Sequence, residues 1–170
     1  MKKLVVMFTL VAIGFTFNAN AQKQSIVEIA AGNDNFSTLV AALKAADLVG
    51  ALQGDGPFTV FAPTNASFDK IDQNTLKSLL QPANKSTLAG ILTYHVVSGK
   101  LAAGDVVNAL KQGNGKTEVT TLNGAKLKVV QKNGKIWLKD QNGNYSEIVK
   151  TDIMANNGVI HVIGDVVMPK

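Results

Sequence analysis

The chain has 170 residues, 46% hydrophobic and 17% charged, with no cysteine and a net charge of +5. That length and balance fit one folded domain with an ordinary core. The missing cysteine excludes thiol catalysis, cysteine-ligated metal sites and disulfide staples. All 17 basic residues are lysine, and without the arginine fork the chain is poor material for reading nucleic acid.

Residues 1–21 read as a secretory leader. Lys2 and Lys3 precede an uncharged apolar run from Leu4 to Phe17, and Ala19-Asn20-Ala21 supplies the small-x-small cleavage pattern. The run falls short of the roughly 20 residues a membrane span needs. A mature single domain over residues 22–170 is therefore expected, soluble, without a membrane span, and either periplasmic or extracellular. Losing Lys2 and Lys3 leaves 15 lysines against 12 acids, a net +3. Such an excess either simply aids solubility or favours anionic surfaces and glycans.

From Ser25 to about Gln112 the apolar period is helical. Phe36, Leu39, Val40 and Leu43 share one face, with Asn35 placed to cap. The segment "GPFTVFAPT" interrupts as a short strand, apolar on both sides and bounded by Pro57 and Pro63. "DQNTLKSLLQP" predicts a helix stopped before Pro82. "STLAGILTYHV" predicts another, with Leu88, Ile91 and Leu92 inward, and "AGDVVNALKQG" a third closed by Gly113.

From Lys116 the texture changes. Asn-Gly recurs at 114–115, 123–124, 133–134 and 142–143, and both residues tolerate the positive φ of tight hairpins. Short strands between them predict an antiparallel meander, continued by "YSEIVKTDI" and "GVIHVIGDVVMP". A two-residue turn at Asn133-Gly134 pairs Val130 with Trp137, Lys128 with Lys139 and Lys132 with Lys135. Leu127, Val129, Ile136 and Leu138 then face the core. Trp137 faces outward among lysines, with Ile148 expected beside it.

Three features invite a chemical role. His95, beside Tyr94, is one of only two histidines, and histidine is the usual proton-transfer residue and metal ligand. No partner motif accompanies it or His161, so a packed, hydrogen-bonded ring is the simpler account. Asp140, Asn142 and Asn144 alternate as in a calcium loop, but Gly143 comes two residues early, and a hairpin turn explains it. Trp137 is either covered by lysine stems or an anchor for an acidic or glycan partner.

Three segments, taken together, resemble the fasciclin domain family. "GPFTVFAPTNASFDKI" (56–71) is similar to its first signature, with Pro63-Thr64-Asn65 leading into a helix that carries Phe68. "LTYHVVSGKL" (92–101) is similar to its central Tyr-His segment. "NGVIHVIGDVVMP" (157–169) is similar to its closing strand. The resemblance implies an α+β fold, a small antiparallel β-sheet wedge with several helices packed on it. It implies an extracellular adhesion or matrix module with no common enzymatic activity, and a Tyr-His region implicated in receptor contact whose histidine also makes core hydrogen bonds.

The expected function is a secreted, non-enzymatic binding module for a cell-surface or matrix protein or glycan. Tyr94, His95 and Trp137 are the candidate contact residues, and no cofactor is implied. A small-ligand carrier with a pocket between sheet and helices, and a secreted hydrolase, stand as alternatives. The oligomeric state is not legible.

Overall fold

The computed structural model describes residues 24–170. The leader expected over residues 1–21, and its cleavage before Gln22, lie outside them. The first helix, α1 (Ile26–Ala31), opens with a reciprocal cap. Ser25 Oγ accepts the Glu28 N–H, and the Glu28 carboxylate accepts the Ser25 N–H at 2.7 Å. A 3-10 turn then leads into α2 (Ser37–Ala45).

Asn35 does not cap α2. The cap arrives from far along the chain: Asn65 Oδ1 accepts the Thr38 N–H at 3.0 Å, and its Nδ2 donates to the Asp34 carbonyl at 2.8 Å. Asn65 is thereby unavailable to cap its own helix, α4 (Asn65–Phe68). Thr64 does that instead, in a box with Ser67. The short α3 (Val49–Leu52) precedes β1 (Phe58–Pro63). Asp72 caps α5 (Gln73–Leu79), which ends before Pro82 as its sequence predicts. Next come α6 (Lys85–Tyr94), β2 (Val96–Ser98) and α7 (Ala103–Gln112), closed at Gly113.

The rest is strand: β3 (Lys116–Thr120), β4 (Lys126–Lys132), β5 (Lys135–Lys139), β6 (Tyr145–Ala155) and β7 (Gly158–Ile163). Asn133 and Gly134 have φ of 53° and 75°, the two positive values of a type I′ turn. The pairs Val130–Trp137, Lys128–Lys139 and Lys132–Lys135 form as the turn dictates. Asn114-Gly115 differs from the other Asn-Gly pairs, for it joins α7 to β3.

The β5–β6 connection differs by one residue. Lys139 pairs with Tyr145, so the loop spans residues 140–144 and Trp137 lies opposite Glu147. Asp140 Oδ1 accepts the N–H groups of Asn142 (2.9 Å) and Asn144 (2.8 Å), which holds the longer loop. A one-residue shift exchanges faces. Ile148 therefore packs toward the core, and Glu147 takes the place beside Trp137.

The class is α+β, but the sheet is not a small antiparallel wedge. It has seven strands in the order β2-β1-β7-β6-β5-β4-β3, and β1 runs parallel to β7. The long β6 changes register between Ile148 and Ile153, the bulges that let a sheet bend. The two edges meet where Val97 bridges Thr121 and the Leu122 N–H donates to the Val96 carbonyl at 2.7 Å. The sheet is thus curled nearly shut.

Two apolar clusters fill the molecule. One joins the helices to the central strands through Phe36, Leu43, Phe68, Leu92 and Ile160. The other lies within the curled sheet around Phe61, Tyr94, Leu110, Leu127, Leu138 and Val167.

Gly158 sits where β7 meets β1. A Cβ there would collide with the Phe58 carbonyl oxygen and crowd Ile26 Cδ1 at 2.8 Å. Gly158→Ala is expected to cost about 3 kcal/mol, the upper end of overpacking. Urea denaturation checks this; a loss under about 1 kcal/mol would mean the pair tolerates separation.

Candidate functional site

Tyr94 and His95 stand at the junction of α6 and β2. Both are buried, at 0% and 2% exposure. The Val167 N–H donates to His95 Nε2 at 3.2 Å. That makes Nε2 the acceptor, so Nδ1 carries the proton and donates to the Ile91 carbonyl at 2.8 Å. Burial pushes the His95 pKa down to about 4, against a smaller opposing effect of the Ile91 bond. The ring is neutral at pH 7. The Tyr94 hydroxyl donates to the Lys126 carbonyl at 3.1 Å. Burial first, and then the negative charge of Asp140, push its pKa up to about 12.

His161 uses the opposite tautomer. The Asp152 N–H donates to its Nδ1 at 3.3 Å, and its Nε2 donates to the Leu101 carbonyl at 2.7 Å. The ring stacks on Phe61 with centroids 5.8 Å apart. Every one of these four ring-nitrogen bonds goes to the main chain. A hydrolase needs an acid or hydroxyl on such a ring; among the described residues neither ring hydrogen-bonds to one. Among the described residues no group of three or more acids and histidines is arranged to hold a metal ion.

Asp140 is the buried charge that sequence reasoning underrated. Besides the two loop N–H groups, Oδ2 accepts the Met168 N–H and Asn144 Nδ2, each at 3.2 Å. Its oxygens are committed to the loop and to the C-terminal segment. Asn157 was missed altogether. It accepts the Ile26 N–H and donates to the carbonyls of Leu52 and Gly54. Its signal, an Asn-Asn pair before the last strand, reads only as a turn.

Trp137 lies apart from Tyr94 and His95, on the outer face of β3–β6. It is half-buried, and its Nε1 is shielded with no acceptor among the described residues. Its cross-strand neighbours are Val130 and Glu147. Trp137, Tyr145, Lys132 and Asn133 line a cleft of about 230 Å³. The structure therefore splits the three candidate contact residues. Two are enclosed in the interior, and one is at the surface.

The fasciclin domain family profile matches residues 34–169. The chain belongs to the fasciclin domain family. Protein sll1483 of Synechocystis sp. is 48% identical over 151 residues, 89% of this chain and 77% of that protein. Immunogenic protein MPB70 of Mycobacterium bovis is 34% identical, over 89% of this chain and 73% of its own length. The pig transforming growth factor-beta-induced protein ig-h3 is also 34% identical, but the match spans only 19% of that longer protein. A solved domain pair from the insect cell adhesion molecule Fasciclin I superposes with a TM-score of 0.73 at 19% identity. The match covers 84% of this chain and 50% of that one. At that identity the likeness establishes the fold.

In this fasciclin domain the Tyr-His segment is a structural node, because His95 ties α6 to the C-terminal segment. Its folded pKa lies below the ordinary histidine value of 6.5. The unfolded chain therefore binds the extra proton first. The stability contributed is whole above pH 6.5 and is lost as pH falls through about 4. The expected loss is about 3 kcal/mol. His95→Gln cannot titrate, so its stability relative to the native chain should improve across that window. Urea midpoints at pH 7 and pH 4 decide it; parallel pH profiles for the two proteins would refute the neutral-ring assignment.

Proposed function

We propose that this fasciclin domain is an exported, non-enzymatic binding module. It engages a cell-surface or matrix partner through the outer face of β3–β6, centred on Trp137. The observation that carries this reading is the placement of Trp137. An indole stands half-buried on an open sheet face and lines a cleft together with Lys132 and Tyr145. Tryptophan is the commonest kind of interface anchor, since one rigid ring offers large apolar area at little entropy cost.

Other features support it. The leader-like residues 1–21 support export. Among the described residues no helix is long and apolar enough to cross a membrane. A solved relative in fold comes from a cell adhesion molecule. Both histidines spend their ring nitrogens on main-chain atoms, which leaves neither free to act as a base. Tyr94 and His95 enter this function as supports of the scaffold, since their burial gives a partner little to touch.

The space between helices and sheet speaks against a carrier. It is occupied by packed side chains such as Phe36, Leu43, Phe68 and Leu92, each buried.

Binding of the purified chain to matrix and cell-envelope preparations tests the reading. Trp137→Ala is expected to weaken it by about tenfold or more while the melting temperature moves only slightly. Unchanged affinity in a folded variant would place the contact elsewhere.

A further inference from the structure

The outer face of β3–β6 carries a charge pattern that fold stability does not explain. Lys116, Lys126, Lys128, Lys132, Lys135 and Lys139 all project from it, against only Glu118 and Glu147. Lys128 stands directly across from Lys139, and Lys132 directly across from Lys135. Like charges in directly opposed positions destabilise a sheet. Two of the four find a carboxylate: Lys128 meets Glu118 at 3.6 Å and Lys135 meets Glu147 at 2.7 Å. Lys132 and Lys139 form no ion pair among the described residues. Lys139 instead lies over the Tyr145 ring, 5.1 Å from its centroid.

Four of these lysines, Lys126, Lys128, Lys132 and Lys139, line one or the other of two clefts. Lys126, Lys128, Lys139 and Lys170 ring an open cleft of about 440 Å³, floored by Asp140 and Asn142. The Asp140 oxygens in that floor are already taken by main-chain and amide N–H groups. Beyond Tyr145 lies the smaller cleft walled by Trp137, with Lys132 at its rim. Tyr145 is 46% exposed. Along β5 Lys135 and Lys139 flank Trp137 on this face, and Tyr145 stands across from Lys139.

We propose that this face binds an acidic polysaccharide, lying across the strands, with its anionic groups on the unpaired lysines and a sugar ring against Trp137 and Tyr145. This names the partner class for the binding module proposed above and rests on that reading. Adjacent strands lie about 4.8 Å apart, close to the length of one sugar in a chain, so charges on successive sugars meet lysines on successive strands. Lysine is a point charge on a flexible stem. It suits a ligand recognised by charge spacing, where a bidentate phosphate or guanine site would call for arginine. Trp137 is half-buried, so less of its ring is open to a bilayer than a fully exposed anchor would offer.

Binding is measured with the purified chain against alginate, heparin, neutral dextran, an oligothymidine single strand, and phosphatidylserine vesicles. The carboxylated and sulfated polysaccharides distinguish the source of the anion. The expected result is binding to at least one acidic polysaccharide, none to dextran, and affinity that falls as salt rises. Lys132→Glu/Lys139→Glu should weaken it by roughly tenfold or more. Lys139→Glu alone should weaken binding yet hold or raise the melting temperature, because it turns a repulsive cross-strand pair into an attractive one. A purely structural role for these lysines predicts the reverse pairing of effects. Equal binding of dextran and alginate, no binding of either acid, or tighter binding of the oligonucleotide or vesicles would overturn the proposal. If cell-envelope binding persists in the double variant and ignores added alginate and heparin, this inference fails while the binding-module reading stands. If envelope binding is absent altogether, that reading fails by itself.

Discussion

The structure depends on one long-range pairing, the parallel contact of β1 with β7. It runs in unbroken register from Phe58 opposite Gly158 to Pro63 opposite Ile163. Nearly every residue of both strands is buried, so the pair is covered on its two faces as parallel strands generally are. Its geometry sets the neighbours. Phe61 brings its ring onto His161 only because the two are opposite. His161 and Thr59, two residues apart in register, then hold the Gly99–Leu101 loop. Thr59 Oγ1 donates to the Gly99 carbonyl and accepts the Leu101 N–H, while His161 donates to the Leu101 carbonyl. The close approach at Gly158 has the same origin.

Around this pair the interior polar groups form a set of main-chain clamps. Asn157 binds α1 and the turn after α3 to the start of β7. His95 and Asp140 hold Val167 and Met168, which fastens the segment after β7 over the mouth of the curled sheet. These groups have little capacity left for chemistry, because a buried polar atom that loses its partner costs about 1–3 kcal/mol. Their pKa values fit that role. His95 is driven neutral and Tyr94 is kept protonated, the states that their hydrogen bonds require.

How much of this was legible depended on how far away the deciding partner lay. The β4–β5 register could be read from Asn133-Gly134 alone, since a type I′ turn determines every pair beyond it. The same logic failed one hairpin later. Asn142-Gly143 looks like the same turn, but Asp140 captures two loop N–H groups and lengthens the connection. That moved Ile148 inward and Glu147 outward. The helices followed from apolar period, whereas the Asn65 cap did not, because the N–H it accepts, that of Thr38, lies 27 residues earlier. Parallel pairing leaves no local mark at all, so the sheet looked smaller and purely antiparallel. Of the candidate site, Trp137 was readable because strand alternation decides its face. That His95 packs and hydrogen-bonds was readable from the lack of any partner motif; its partner Val167, and the Lys126 carbonyl that Tyr94 meets, are distant and left no mark near position 95.

The division between interior and surface explains where a binding role can reside. β1 and β7 are enclosed, and the inner face of the meander is filled by Leu127, Val129 and Leu138. The outer face of β3–β6 is the broad sheet surface left to water among the described residues. Substitutions there change charge without touching either apolar cluster, so this face can be adapted to a ligand while the fold is kept. The opposed lysines fit that freedom: they oppose the sheet slightly and lie too far from the core to unfold it. One small face binds weakly by itself. A repeating polymer changes that arithmetic, since each released contact leaves the next sugar at high local concentration. On the polysaccharide proposed above, this domain would gain through a repeating ligand the avidity that linked binding modules gain through their number.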